Sequence, residues 1–141
     1  MRILVVSDAW TPQVNGVVVT LRNTVGCLEK EGHVTEVIGP DRFRSIPCPS
    51  YPEIRLAMNP GAALTRMVHA FAPDAIHIAT EGPLGMAARG LCMRRNLRFT
   101  TAYHTRFPEY VHARVRLPLA WSYAWMRRFH APSQAVMVAT P

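Results

Sequence analysis

Short apolar runs alternate along this sequence with stretches of helical period, and that alternation confines the chain to few architectures. Arg2 to Ser7 is a β-branched apolar run bounded by polar residues, the pattern of a fully buried strand. From Val17 to Glu31, the residues Val17, Leu21, Val25 and Leu28 recur at spacings of three and four, which predicts an amphipathic helix, and Gly32 stands where its C-terminal stop belongs. Val34 to Gly39 reads as a second strand. Together these segments form a β-loop-α-β unit long enough for a right-handed parallel crossover.

The rest continues the pattern less regularly. The stretch from Pro40 to Pro60 is rich in proline and reads as loop, with one short strand at Glu53 to Leu56. Ala62 to Phe71 is a helix stopped by Pro73, Ala75 to Ala79 a strand, and Pro83 to Arg94 a helix with proline at a tolerated early position. Phe99 to His104 is a strand that leads into a loop through Pro108. Leu117, Trp121, Trp125 and Phe129 recur every four residues and are expected to share one buried helical face, and Ala135 to Ala139 closes the series as a strand. The prediction is an α/β domain: a parallel sheet covered by helices on both faces.

Composition narrows the class further. With 49% apolar and 18% charged residues in 141, the chain can bury a core. The N-terminal apolar run ends at Ser7-Asp8, too short for a secretory signal of roughly 7–15 apolar residues. Cys27, Cys48 and Cys92 are odd in number, widely spaced and without a CxxC pair, a pattern that suits a reducing cytoplasm rather than a disulfide framework or zinc site. The net charge of +7 concentrates in an arginine-rich second half. Such a surface attracts phosphate, whether on nucleic acid, anionic lipid or nucleotide, and is equally consistent with a solvated face.

Ligands of open parallel sheets bind beyond the carboxyl ends of the strands, so the loops leaving those ends are the candidates for chemistry. The first, Asp8 to Gly16, lacks GxGxxG, which counts against a dinucleotide oxidoreductase. It keeps Asn15-Gly16 at a helix start, suited either to close approach of a phosphate or sugar or to simple capping. The second, Thr80-Glu81-Gly82-Pro83, offers Glu81 to sugar hydroxyls or to the positive end of a helix. The third, Tyr103 to Tyr110, carries His104 at a strand end and Arg106, which can pair with an anion. A metal site at His104, Glu109 and His112 fails the HExxH spacing, and no GxSxG or cysteine-histidine pair supports a nucleophile.

Four segments carry a family resemblance: Ser7-Asp8-Ala9-Trp10-Thr11-Pro12-Gln13-Val14-Asn15-Gly16-Val17, Pro52-Glu53-Ile54-Arg55-Leu56, Ile76 to Gly85 around Thr80-Glu81-Gly82-Pro83, and Thr101 to Tyr110 around His104-Thr105-Arg106. In order and spacing they resemble family 4 glycosyltransferases, bacterial members related to mannosyltransferases and sulfolipid synthases. The resemblance implies one half of a GT-B fold, in which two Rossmann-like domains face a cleft. It implies transfer of a hexose from a nucleotide-sugar donor to a lipid, polyol or glycan acceptor, with retained configuration, no obligatory metal and no other cofactor. Asn15 and Gly16 are then expected to approach the donor, His104 to lie beside the transferring sugar as the catalytic residue, and Glu81 and Arg106 to shape the acceptor pocket. Residues 1–141 correspond to the N-terminal, acceptor-side domain, and the donor-binding C-terminal domain expected of the family is not in the sequence. On that reading the chain alone lacks complete catalytic machinery.

Two alternatives accompany this expectation. One is a non-enzymatic basic module for nucleic acid, with Trp121, Trp125 and Phe129 as stacking groups, disfavoured because their spacing fits a core face better. The other is peripheral contact of the Leu117 to Phe129 helix with an anionic membrane, at the inner face of a cytoplasmic membrane, which would suit a lipid acceptor.

Overall fold

The computed structural model describes residues 1–49, 51–103 and 118–138, with backbone alone for 51–54. Five parallel strands make the main sheet: β1 (Arg2–Val6), β2 (Val34–Ile38), β5 (Ala75–Ile78), β6 (Thr100–Tyr103) and β7 (Val136–Val138). Their spatial order is β2-β1-β5-β6-β7. Counting parallel strands alone, this is the 2-1-3-4-5 order of doubly wound folds, in which the chain reverses direction of winding between β1 and β5. The helices are α1 (Gly16–Lys30), α2 (Gly61–Phe71), α3 (Pro83–Arg94) and α4 (Leu119–His130).

Alternation of side chains along the strands builds two cores. Leu4, Val6, Ile76 and Ile78 point to one face, where Leu64, Val68 and Phe71 of α2, Leu84, Ala88 and Leu91 of α3, and Phe129 of α4 cover them. Val5 and Ala79 point to the other, under Leu21 with Val17 and Val25 of α1. Leu4, Val6, Ile38, Leu64, Ile78 and Leu84 are fully excluded from solvent. Each such side chain contributes about 1.5–3 kcal/mol of transfer free energy.

The helix ends follow local chemistry. Asn15, in extended conformation, caps α1, and Gly32 beyond its C-terminus takes a φ of +92°. Two arginines serve as C-terminal caps from elsewhere. Arg2 Nε donates to the Phe71 carbonyl of α2 (2.8 Å), and Arg89 donates through Nε to the Phe129 carbonyl and through Nη2 to that of Arg128 in α4 (both 2.9 Å). Cation at a helix C-terminus is the favourable sense of the helix dipole. Part of the arginine excess is therefore structural.

Two expectations are corrected. The proline-rich stretch holds two strands rather than one: the expected strand at Glu53 to Leu56 lies within β4 (Tyr51–Ala57), which pairs with β3 (Ser45–Cys48) in an antiparallel hairpin outside the main sheet, irregular between Pro47 and Cys48. The expected face of α4 is also wrong at Trp121, which is 69% exposed, whereas Ser122, Met126 and Phe129 are buried and Trp125 is half-buried. Leu117, the first residue of that expected face, lies outside the described residues.

Candidate functional site: the crevice between β1 and β5

The winding reversal places the loops after β1 and β5 side by side at the carboxyl edge of the sheet. What joins them is Asp8, which is 6% exposed. Its backbone N–H donates to Thr80 Oγ1 (2.7 Å), and that hydroxyl donates back to Asp8 Oδ2 (2.7 Å). Leu84 N–H donates to Oδ1 (2.8 Å) and Gly85 N–H to Oδ2 (3.1 Å), and the Gly82 N–H also bonds the carboxylate. Burial pushes the Asp8 carboxyl above its ordinary range, against the lowering effect of these donors. The approach is close enough to demand glycine. A Cβ at Gly82 would lie 2.5 Å from Asp8 Cγ, and one at Gly85 would lie 1.9 Å from the Thr80 carbonyl oxygen. Sequence reasoning passed over Asp8, and the glycines flanking Pro83-Leu84 were the available signal.

The β1 loop is braced within itself. Ser7 Oγ donates to the Ala9 carbonyl (2.7 Å), Gln13 Nε2 to that of Asp8 (3.0 Å), and the Thr11–Pro12 peptide is cis. Trp10 packs where a Cβ on Gly39 would lie 2.7 Å from its own Cβ, with the Arg22 guanidinium 5.9 Å from its ring centroid. This loop ends in Asn15 and Gly16 at the start of α1. Asn15 Oδ1 accepts from Val18 N–H (3.1 Å), and its Nδ2 donates to Gln13 Oε1 (3.3 Å), so the side chain serves as a cap. The N–H groups of Gly16 and Val17 take no partner among the described residues. Gly16 is exposed, and a Cβ there would meet nothing within 4 Å. Its φ is not in the left-handed region, so openness rather than backbone strain is what it offers.

Glu81, in the loop after β5, pairs with α4. Its Oε1 lies 3.0 Å from His130 Nε2 at the end of α4, and each side chain is 11% exposed. His130 Nδ1 lies 2.7 Å from Thr101 Oγ1 on β6. The structure places Asn15 and Gly16 at the end of the loop after β1 and Glu81 in the loop after β5, the two loops that Asp8 joins. His104 and Arg106 follow β6 in sequence and lie outside the described residues. Beside α4, Tyr103, Tyr123, Met126, Arg127, His130, Val136 and Val138 line a wide, shallow hollow of about 610 Å³. No helix among the described residues is long and apolar enough to cross a membrane.

Residues 14–141 match the family model for Glycosyltransferase Family 4. This chain belongs to glycosyltransferase family 4. Its doubly wound parallel domain is what one half of a GT-B fold requires. Among similar proteins, the GDP-mannose-dependent alpha-mannosyltransferase of Mycobacterium tuberculosis is 25% identical across 97% of this chain and 43% of its own length. Its namesake from Mycolicibacterium smegmatis is 26% identical with the same coverage. The alpha-monoglucosyldiacylglycerol synthase of Streptococcus pneumoniae is 28% identical across 79% of the chain and 28% of its own length. The family 4 chain therefore spans less than half the length of these relatives. No solved structure matches it.

Proposed function

We propose that this chain is the acceptor-side domain of a retaining glycosyltransferase that moves a hexose from a nucleotide sugar to a lipid, polyol or glycan. What supports the reading is the meeting of the loops after β1 and β5 in a member of glycosyltransferase family 4, with Asn15-Gly16 ending one loop and Glu81 in the other. Negative charge grows on the donor's diphosphate as the glycosidic bond breaks, and pre-oriented N–H donors are the groups that stabilise it. The free N–H groups of Gly16 and Val17, at the positive end of α1, suit that task from the acceptor side. Asn15 contributes by fixing this first turn. His104 is read as the residue beside the transferring sugar, and Glu81 and Arg106 as acceptor groups.

Most of the grip on the nucleotide comes, in this reading, from a second domain of the kind GT-B enzymes carry. The relatives named for GDP-mannose make mannose the first sugar to try. The setting is cytoplasmic, at the inner face of the membrane if the acceptor is a lipid.

The test is an amide spectrum of the 15N-labelled chain titrated with GDP-mannose at millimolar concentration. We expect the Gly16 and Val17 signals to move, and Gly16→Val to abolish the movement by filling the open approach. Salt-sensitive binding of generic duplex DNA with no response to GDP-mannose would instead favour the nucleic-acid module.

A further inference from the structure

We infer that His130 is a positioning residue for Glu81, and that the pair forms a one-sided receptor for an acceptor hydroxyl; this rests on reading the crevice as a glycosyl-acceptor site. A chain of hydrogen bonds holds the pair. Ser133 Oγ donates to the His130 carbonyl (2.7 Å). Thr101 Oγ1 lies 3.2 Å from Ser133 Oγ and 2.7 Å from His130 Nδ1, a contact in which the ring nitrogen gives or accepts according to its tautomer. Phe129 and Tyr103 flank the ring edge-on, with centroids 5.0 and 6.5 Å away. The imidazole is thereby held in one orientation, with Nε2 aimed at Glu81 Oε1. A bare ring nitrogen and a carboxylate oxygen repel at 3.0 Å, so a proton lies between them.

Glu81 Oε1 is spoken for by that contact. Oε2 takes no hydrogen bond among the described residues, although the side chain is only 11% exposed. A nearly buried carboxylate oxygen without a donor is costly, and its lone pairs call for a hydroxyl or an ordered water. Beside a crevice that takes a polyhydroxyl acceptor, that partner is a ligand hydroxyl. His130 holds one oxygen so that the other faces one way. Such a site selects a hydroxyl over a hydrogen at one carbon of the acceptor. A cross-link that only tied α4 to the loop after β5 would affect stability and leave selectivity alone.

The experiment titrates methyl α-mannopyranoside and its single-deoxy analogues into the 15N-labelled chain, reading the amides of Gly16, Gly82 and Thr101 and the ring nitrogens of His130. We expect sugar-induced shifts at Gly82, at Thr101 and at the His130 ring, and one deoxy analogue binding about tenfold more weakly. His130→Ala should erase that discrimination, and His130→Gln, whose side-chain N–H can still reach Glu81, should restore part of it. Equal discrimination in His130→Ala overturns the inference, as do His130 ring signals that do not respond to the sugar in the unsubstituted chain, a reading that needs no variant to fold. Shifts confined to Gly16 overturn it while leaving the glycosyltransferase reading in place, and no shift at any of these amides with either the sugar or GDP-mannose overturns both.

Discussion

Asp8 occupies, with a side chain, a place where an external anion would otherwise bind. Its carboxylate takes the first N–H groups of α3, so the positive end of that helix is answered from within the chain, whereas the first N–H groups of α1 have no partner among the described residues. The same burial makes Asp8 sensitive to pH. Its folded-state pKa is raised above the ordinary 3.8, so its favourable contribution is complete below that value and is lost as pH rises through the folded pKa. Asn carries no ionisation, so the difference in Tm between the native chain and Asp8→Asn should move in favour of the native chain between pH 7 and pH 4, measured by thermal melts at both. A difference that stays constant, or moves the other way, would contradict this account. Nothing local marks Asp8 in the sequence, because its partners stand 72 to 77 residues further on. Asn15 was legible as a cap because its partner is three residues away.

At the scale of elements, the glycines separate into two kinds that sequence does not distinguish. Gly85 in α3 leaves no room for a methyl group against the Thr80 carbonyl, and Gly85→Ala should destabilise by about 1–3 kcal/mol. Gly26, inside α1, has nothing within 4 Å of its missing Cβ, and Gly26→Ala should stabilise by about 0.5–1 kcal/mol through helix propensity. Urea unfolding of both variants checks the pair, and the opposite signs are the point. The main strands and helices were legible because burial on both faces imposes continuous apolar runs and burial on one side imposes helical period. The β3–β4 hairpin was hidden by Pro47 and Pro52, which remove ladder donors and are tolerated because the hairpin stands apart from the main sheet. The face of α4 was misjudged for a geometric reason. Four residues turn a helix about 40° past a full circle, so a series at strict spacing of four spirals off one face. The buried series Ser122, Met126 and Phe129 corrects the drift by taking one step of three.

The whole molecule pairs a clasped sheet edge with one that is bare among the described residues. β7 borders the sheet among the described residues, with Val136, Met137 and Val138 exposed at 42%, 57% and 63%. An apolar, unpaired strand edge is a template for self-association. We expect the 141-residue chain to sediment as a mixture of monomer and larger species that shifts with concentration, and Met137→Lys to move it toward monomer. A sharp monomer at all concentrations would speak against that. Doubly wound order was readable in outline from alternation, but the reversal between β1 and β5 was not, since spatial order depends on which crossover turns which way. That reversal, clasped by Asp8, gives the crevice a mechanical character. Its two lips are riveted together, and neither can swing without carrying the other. A bulkier ligand lying against these two loops could not be accommodated by their parting, so they meet whatever touches them as one rigid edge.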